Sequence, residues 1–290
     1  MQVASKHMIK QVLNSLDIKA LKKYGQNFLS SEETAAGIVN LLALSPRDNV
    51  VEIGPGLGAL THYLVESGAN ITAVEIDKAV SKFLEETYAK DENFIVIQQD
   101  FLRYQLNLDL RNLKVIGNLP YYITTPIVEK LIKLSAQISE FVVMVQAEVI
   151  RRFDAKVNEE EYGPLAIMLG LLGKGEAKIK VSSHNFYPQP TIASQVYHFT
   201  FNHSLTSEEI DELYRFVTAV FTNRRKSILN NLTIVLGERS KAAFVVEKLN
   251  LNCDLRPENI EPAVFVEMVK IITEQDWLTN VTYPRPNPRS

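Results

Sequence analysis

The 290-residue chain has a single cysteine, Cys253, so an internal disulfide is excluded, and no His or Cys cluster at ligand spacing suggests a metal. No apolar run approaches the roughly 18 residues that span a bilayer. Lys6, His7 and Lys10 interrupt the start of the chain, which therefore lacks the apolar core of a secretory signal. A cytoplasmic protein is expected. An excess of positive charge is missing too: the net charge is −3, which argues against a surface coated with basic residues. The cations that are present are grouped, at Lys19, Lys22 and Lys23, at Arg151 and Arg152, and at Arg224-Arg225-Lys226. Such patches can bind a polyanion despite a neutral average. With 46% hydrophobic and 22% charged residues, the composition is that of a globular protein, long enough for one large domain and a smaller one.

After a start that is expected to be mobile, Ser30 or Ser31 caps an apolar helical pattern through Ile38, Leu41 and Leu42 that should end near Ser45-Pro46. Strand-type runs follow at 49–53, 70–76, 94–98, 113–117 and 141–146, and helical patterns at 59–66, 78–89 and 126–135 separate most of them. This alternation predicts βαβ units and a mostly parallel twisted sheet. Runs at 176–182 and 195–201 are expected to add an antiparallel edge. From Thr206 onward only helical patterns occur. The expected organisation is an N-terminal arm over 1–30, an α/β domain over 31–203, a small all-helical domain over 204–282 and a disordered proline-containing tail over 283–290.

In Val50-Val51-Glu52-Ile53-Gly54-Pro55-Gly56-Leu57-Gly58 a strand enters a glycine-rich turn that opens a helix. Such a turn lets a ligand approach the backbone, which makes Gly54 and Gly56 cofactor-binding candidates. With Ala59 the dinucleotide spacing is also met, and a tight turn that binds nothing is the competing reading. Glu75, at the end of the second strand, suits the two hydroxyls of an unphosphorylated ribose. A nicotinamide dinucleotide and S-adenosylmethionine both carry one. Asp100, after the third strand, suits a cofactor adenine amino group or a simple turn cap.

Asn118-Leu119-Pro120-Tyr121 separates the two cofactors. The Asn118 side-chain oxygen and the Leu119 carbonyl are two acceptors, Pro120 stiffens the backbone, and Tyr121 offers a flat face. An adenine amino group is two donors beside an aromatic plane, so the motif points to methylation of a nucleobase, with S-adenosylmethionine as donor. Phe186, in Asn185-Phe186-Tyr187-Pro188-Gln189-Pro190, is a candidate for the opposite face of the stack; a core aromatic is the alternative.

Together with Lys22-Lys23-Tyr24-Gly25-Gln26-Asn27-Phe28-Leu29 and Phe221-Thr222-Asn223-Arg224-Arg225-Lys226, these motifs closely resemble the ribosomal RNA adenine N6,N6-dimethyltransferase family over nearly the whole chain. The resemblance implies a Rossmann-like S-adenosylmethionine-dependent methyltransferase sheet with a small all-helical C-terminal domain. It implies cofactor contacts at Asn27, Leu29, Gly54, Glu75, Asp100 and Asn118, and RNA contacts at Lys22, Lys23, Arg224, Arg225 and Lys226. The implied reaction is dimethylation of two adjacent adenosines near the 3′ end of small-subunit ribosomal RNA, on a pre-ribosomal subunit, by a monomer that needs no metal or membrane. The competing readings are a large-subunit methyltransferase of the antibiotic-resistance type and a non-catalytic ribosome-assembly factor. Three positions depart from the family pattern: Ala147 stands where Lys is usual, Ala193 where an acidic or amide residue is usual, and Pro164 in a segment that is usually basic. They put RNA docking in question more than cofactor binding.

Overall fold

The computed structural model describes residues 5–16, 27–107 and 111–277. Lys19, Lys22, Lys23 and the 283–290 tail lie outside the described residues. The chain forms two compact units, one made of residues 1–150 with 174–202 and the other of residues 151–173 with 203–290.

The first unit starts with α1 (Lys6–Ser15), capped by the Ser5 hydroxyl accepting from Met8 N–H. Where the sequence leads to the expectation of a mobile start, residues 6–15 form this helix. Its buried residues Ile9, Val12 and Leu13 pack with Phe28 and Leu57, so a narrow apolar stripe suffices to hold it. Then follow β1 (Phe28–Leu29), α2 (Glu32–Asn40), β2 (Asn49–Ile53), α3 (Thr61–Glu66), β3 (Asn70–Glu75), α4 (Lys78–Thr87), β4 (Phe94–Gln98), β5 (Leu113–Asn118), a 3-10 turn at Tyr121–Ile123, α5 (Thr124–Lys133), β6 (Ile138–Gln146) and α6 (Ala147–Asp154), of which residues 151–154 belong to the second unit. After α7 (Pro164–Leu172) come β7 (Gly173–Val181), β8 (Phe186–Tyr187) and β9 (Ser194–Phe201).

Seven strands form one sheet in the order β4-β3-β2-β5-β6-β9-β7. Strands β2 to β6 are parallel, and β9 runs antiparallel to β6. The order reverses between β2 and β5. In open α/β sheets a ligand crevice forms at the carboxyl ends of strands that flank such a reversal. Those ends here are Ile53-Gly54 and Gly117-Asn118. Gly117 is needed there, because a Cβ would stand 2.8 Å from the Ile53 carbonyl oxygen. At the opposite end of β5, Lys114 donates to the Leu42 carbonyl at 2.7 Å and lies 3.3 Å from Glu140 and 3.5 Å from Asp48. That network anchors the strand that carries Asn118.

In the second unit, α8 (Ser207–Phe221), α9 (Ile228–Leu236), α10 (Arg239–Lys248) and α11 (Pro262–Glu274) follow one another. A Thr206–Glu209 capping box starts α8, and Gly237 in the left-handed region ends α9. Residues 151–173, expected in the α/β domain, belong to this unit instead. The reason is α7: Leu165, Ala166, Ile167, Met168, Leu169 and Leu172 are all buried, so the helix needs apolar partners on every side and finds them in α8 and α11. Pro164 starts that helix, where its missing N–H and fixed φ cost nothing.

Candidate active site

The carboxyl ends of β2, β3, β4 and β5 open onto a cleft of about 1130 Å³, including its mouth. Its lining includes Asn27, Phe28 and Leu29 before α2, the Gly54–Leu57 turn, Glu75, Asp100, and Asn118 through Ile123. The cofactor and target-base residues read from the sequence therefore meet in one place, with the exception of Phe186.

The glycine turn is shaped by its backbone. Gly54 and Gly56 have φ of +60° and +55°, values an L side chain rarely adopts. A Cβ at Gly54 would project into open space within the cleft, whereas one at Gly56 would sit 3.3 Å from the Phe28 ring. Gly56 N–H donates to Glu75 Oε2 at 3.2 Å, and Asp77 N–H donates to Glu75 Oε1 at 2.9 Å. Each oxygen of this carboxylate, 4% exposed, thus takes one backbone donor and has lone-pair capacity left for a ligand. Burial raises the Glu75 pKa, and the two N–H bonds oppose that rise. Glu52 also lines the cleft. Burial, with the Glu75 charge adding to it, pushes the Glu52 pKa up to about 8 against the opposing hydrogen bond from the Thr61 hydroxyl at 2.7 Å. Glu52 is thus largely protonated at neutral pH.

Asp100 begins a tight turn in which Leu102 N–H donates to its Oδ1 at 2.9 Å. It is both the turn cap and a cleft residue, which joins two readings that the sequence left as alternatives.

Asn118 Nδ2 donates to the Asn27 carbonyl at 3.1 Å. That bond fixes which end of the amide is which, leaving Oδ1 as the acceptor. Leu119 N–H donates to the Met144 carbonyl at 3.0 Å, and the Leu119 side chain is buried, so the peptide that follows Asn118 is held from two sides. The Pro120 carbonyl accepts from the Thr124 hydroxyl at 3.1 Å, which ties the motif to the start of α5. Tyr121 is oriented by its hydroxyl, 3.1 Å from that of Ser194.

Phe186 does not offer a stacking face. In the β1–β8 ladder Leu29 pairs with Phe186 and Phe28 with Tyr187. Because successive residues point to opposite sides of a strand, Leu29 and Phe186 enter the main core while Phe28 and Tyr187 pack toward α1. Phe186 is 1% exposed. The core reading of this aromatic is the correct one.

In the second unit, Arg224 is committed to structure. Its Nε donates to Glu258 Oε2 at 2.6 Å, Nη2 to the Glu159 carbonyl at 3.1 Å, and Nη1 to the Glu160 carbonyl. Arg225 and Lys226 are exposed. The buried Asn231 places its amide nitrogen 3.2, 3.0 and 3.1 Å from the Asn223, Lys226 and Ser227 carbonyls, so the basic turn is held from within. An Asn in an otherwise apolar helix pattern was its only sequence signal. The Ala147 and Ala193 departures lie side by side, with Ala147 N–H donating to the Ala193 carbonyl at 3.2 Å. Among the described residues no group of three or more His, Cys, Asp or Glu is arranged to hold a metal, and no helix is long and apolar enough to cross a membrane.

The sequence profile described as ribosomal RNA adenine dimethylase matches residues 18–274. A protein named ribosomal RNA small subunit methyltransferase A from Ureaplasma urealyticum is 35% identical over 281 residues, covering 94% of this chain and 99% of that one. Its namesake from Lactococcus lactis is 36% identical over 265 residues, covering 88% and 90%. A crystal structure of a dimethyladenosine transferase from Plasmodium falciparum superposes with a TM-score of 0.74 at 22% identity, covering 86% of this chain and 98% of that one, a likeness that shows the fold. The chain belongs to the ribosomal RNA adenine dimethylase family.

Proposed function

We propose that this protein uses S-adenosylmethionine to convert two adjacent adenosines near the 3′ end of small-subunit ribosomal RNA to N6,N6-dimethyladenosine, acting as a monomer on a pre-ribosomal subunit in the cytoplasm. The observation that carries the reading is the amide of Asn118, whose nitrogen is spent on Asn27 so that its oxygen is the acceptor. The chemistry of the cleft fits the donor. Glu75 would hold the ribose hydroxyls and Asp100 the adenine amino group, and the open backbone at Gly54 would admit the rest.

When bound, S-adenosylmethionine supplies an electrophilic methyl on a sulfonium and departs as a neutral thioether. The protein's task is to prepare the nucleophile. An adenine amino nitrogen attacks poorly because its lone pair is conjugated into the ring. Hydrogen bonds accepted by Asn118 Oδ1 and the Leu119 carbonyl turn that lone pair out of conjugation and stabilise the positive charge that develops on nitrogen as the new N–C bond forms. Tyr121 stacks on the base, an interaction worth about 1–3 kcal/mol, which offsets part of the cost of unstacking it. The alkylated nitrogen is acidic enough to release its proton to water, so no strong base is required. Arg225 and Lys226, with Lys22 and Lys23, supply phosphate contacts.

The test is substrate choice. Immature small subunits and naked large-subunit RNA are offered separately to the purified protein with labelled donor. Label is expected on the small-subunit RNA. Label on the large-subunit RNA alone would replace this reading, and tight subunit binding without any transfer would favour a non-catalytic assembly factor.

A further inference from the structure

Lys130 lies on α5, the helix that follows the Asn118–Tyr121 motif directly, yet its ammonium is spent on a different segment. Nζ donates to the Phe101 carbonyl at 2.5 Å and to the Tyr104 carbonyl, and it sits 4.7 Å from the centroid of the Phe101 ring. These carbonyls belong to the turn that Asp100 opens, where Arg103 and Tyr104 N–H both return to the Asp100 carbonyl at 2.9 and 3.0 Å. Asp100 and Phe101 line the cleft, as does Ile127 on α5. Partial burial lowers the Lys130 pKa, and the nearby Asp100 charge opposes that shift. A surface lysine spends little to stay hydrated, whereas this one gives up water to grip two backbone carbonyls and an aromatic face. It does not use the Asp100 carboxylate as a hydrogen-bond partner, which leaves the second oxygen of that carboxylate for a ligand.

We propose that Lys130 is a positioning residue for the methyl donor's adenine, clamping the Asp100–Tyr104 turn to the helix behind the catalytic motif so that Asp100 faces the base's amino group. This rests on the assignment of Asp100 to that amino group. The side chain does not touch the cofactor; it acts by removing the turn's freedom to swing Asp100 away. Removing the ammonium strands two carbonyls and releases the turn, so the loss falls on recognition of the adenine edge.

The experiment is calorimetric binding of S-adenosylhomocysteine and of S-inosylhomocysteine, in which a carbonyl replaces the amino group that Asp100 would accept from. The wild type is expected to prefer the adenosyl compound by about tenfold or more, the scale of one hydrogen bond to a charged group. Asp100→Ala should abolish that preference. Lys130→Met should lose most of it while raising the donor KM more than it lowers kcat, and Lys130→Arg should restore it. If Lys130→Met does not fold, Lys130→Gln, which keeps a single donor group, should show an intermediate preference. A full wild-type preference in the Met or Gln variant, with the preference lost in Asp100→Ala, overturns the role of Lys130 alone. A preference that survives in Asp100→Ala overturns the Asp100 assignment and this proposal with it.

Discussion

The cleft of the α/β unit and the basic turn of the helical unit use charge in opposite ways. In the cleft, charged and polar groups are buried or half-buried and their atoms are individually placed: Glu75 by two backbone donors, Asn118 by the Asn27 carbonyl, Asp100 by its own turn. In the basic turn, two cations stand in solvent and the third, Arg224, is consumed in holding residues 159–160 and Glu258. Fixed geometry suits a reaction in which one lone pair must point at one carbon. Exposed charge suits a polyanion whose phosphates need attraction more than exact placement. Sequence proximity hides this division, since Arg224 and Arg225 are neighbours with different work.

The sharpest way to break the comparison is at Asn118. Asn118→Ala is expected to slow methyl transfer by about 10²–10³, the usual cost of losing a positioned electrostatic contact, with donor binding largely kept. Near-normal single-turnover rates would mean that placement in the cleft is not what drives the chemistry. The basic turn should respond differently. Replacing Arg225 and Lys226 with Ala should weaken RNA binding and reduce the salt dependence of log K by about 0.7–0.9 per charge removed, without changing melting behaviour. Arg224→Ala should do the reverse: stability falls by about 1–3 kcal/mol, as for a hydrogen-bonded charged group, while the salt slope stays near that of the wild type. Identical behaviour of these two variants would erase the distinction between Arg224 and its neighbours.

A pH-dependent effect concerns Glu52. Its ordinary pKa of 4.5 is raised by burial to about 8 in the fold, so the folded state holds a proton that the unfolded state gives up. Its contribution to stability is complete below pH 4.5 and is lost as pH rises toward 8. Glu52→Gln is therefore expected to flatten the fall in melting temperature between pH 5 and pH 8.5. A wild-type slope in this variant would show that Glu52 titrates normally.

Much of the cleft was legible before the fold was known. The strands over 49–53 and 94–98, the glycine turn, Glu75 and Asp100 carry local signals: apolar runs, forced positive φ, and acidic residues just past strand ends. What escaped notice depends on distant partners. The helix α7 is apolar nearly all round, with Leu165 to Leu169 and Leu172 buried, and so carries no amphipathic period. Arg224 looked like its neighbours because nothing local announces Glu258 or the 159–160 carbonyls. Phe186 sits in a motif that suggested a stacking role, and only its pairing with Leu29 turns it inward. Lys130 and Asn231 serve backbone carbonyls, which have no sequence identity to match.

On the proposed reading, this cleft places two methyl groups on each of two neighbouring adenosines. Mass spectrometry of small-subunit RNA after incubation of immature subunits with the protein and labelled S-adenosylmethionine tests it most directly. Two adjacent N6,N6-dimethyladenosines are expected near the 3′ end, absent when Asn118→Ala replaces the wild type. Methyl groups confined to another base or to large-subunit RNA, or none despite donor binding, would contradict it.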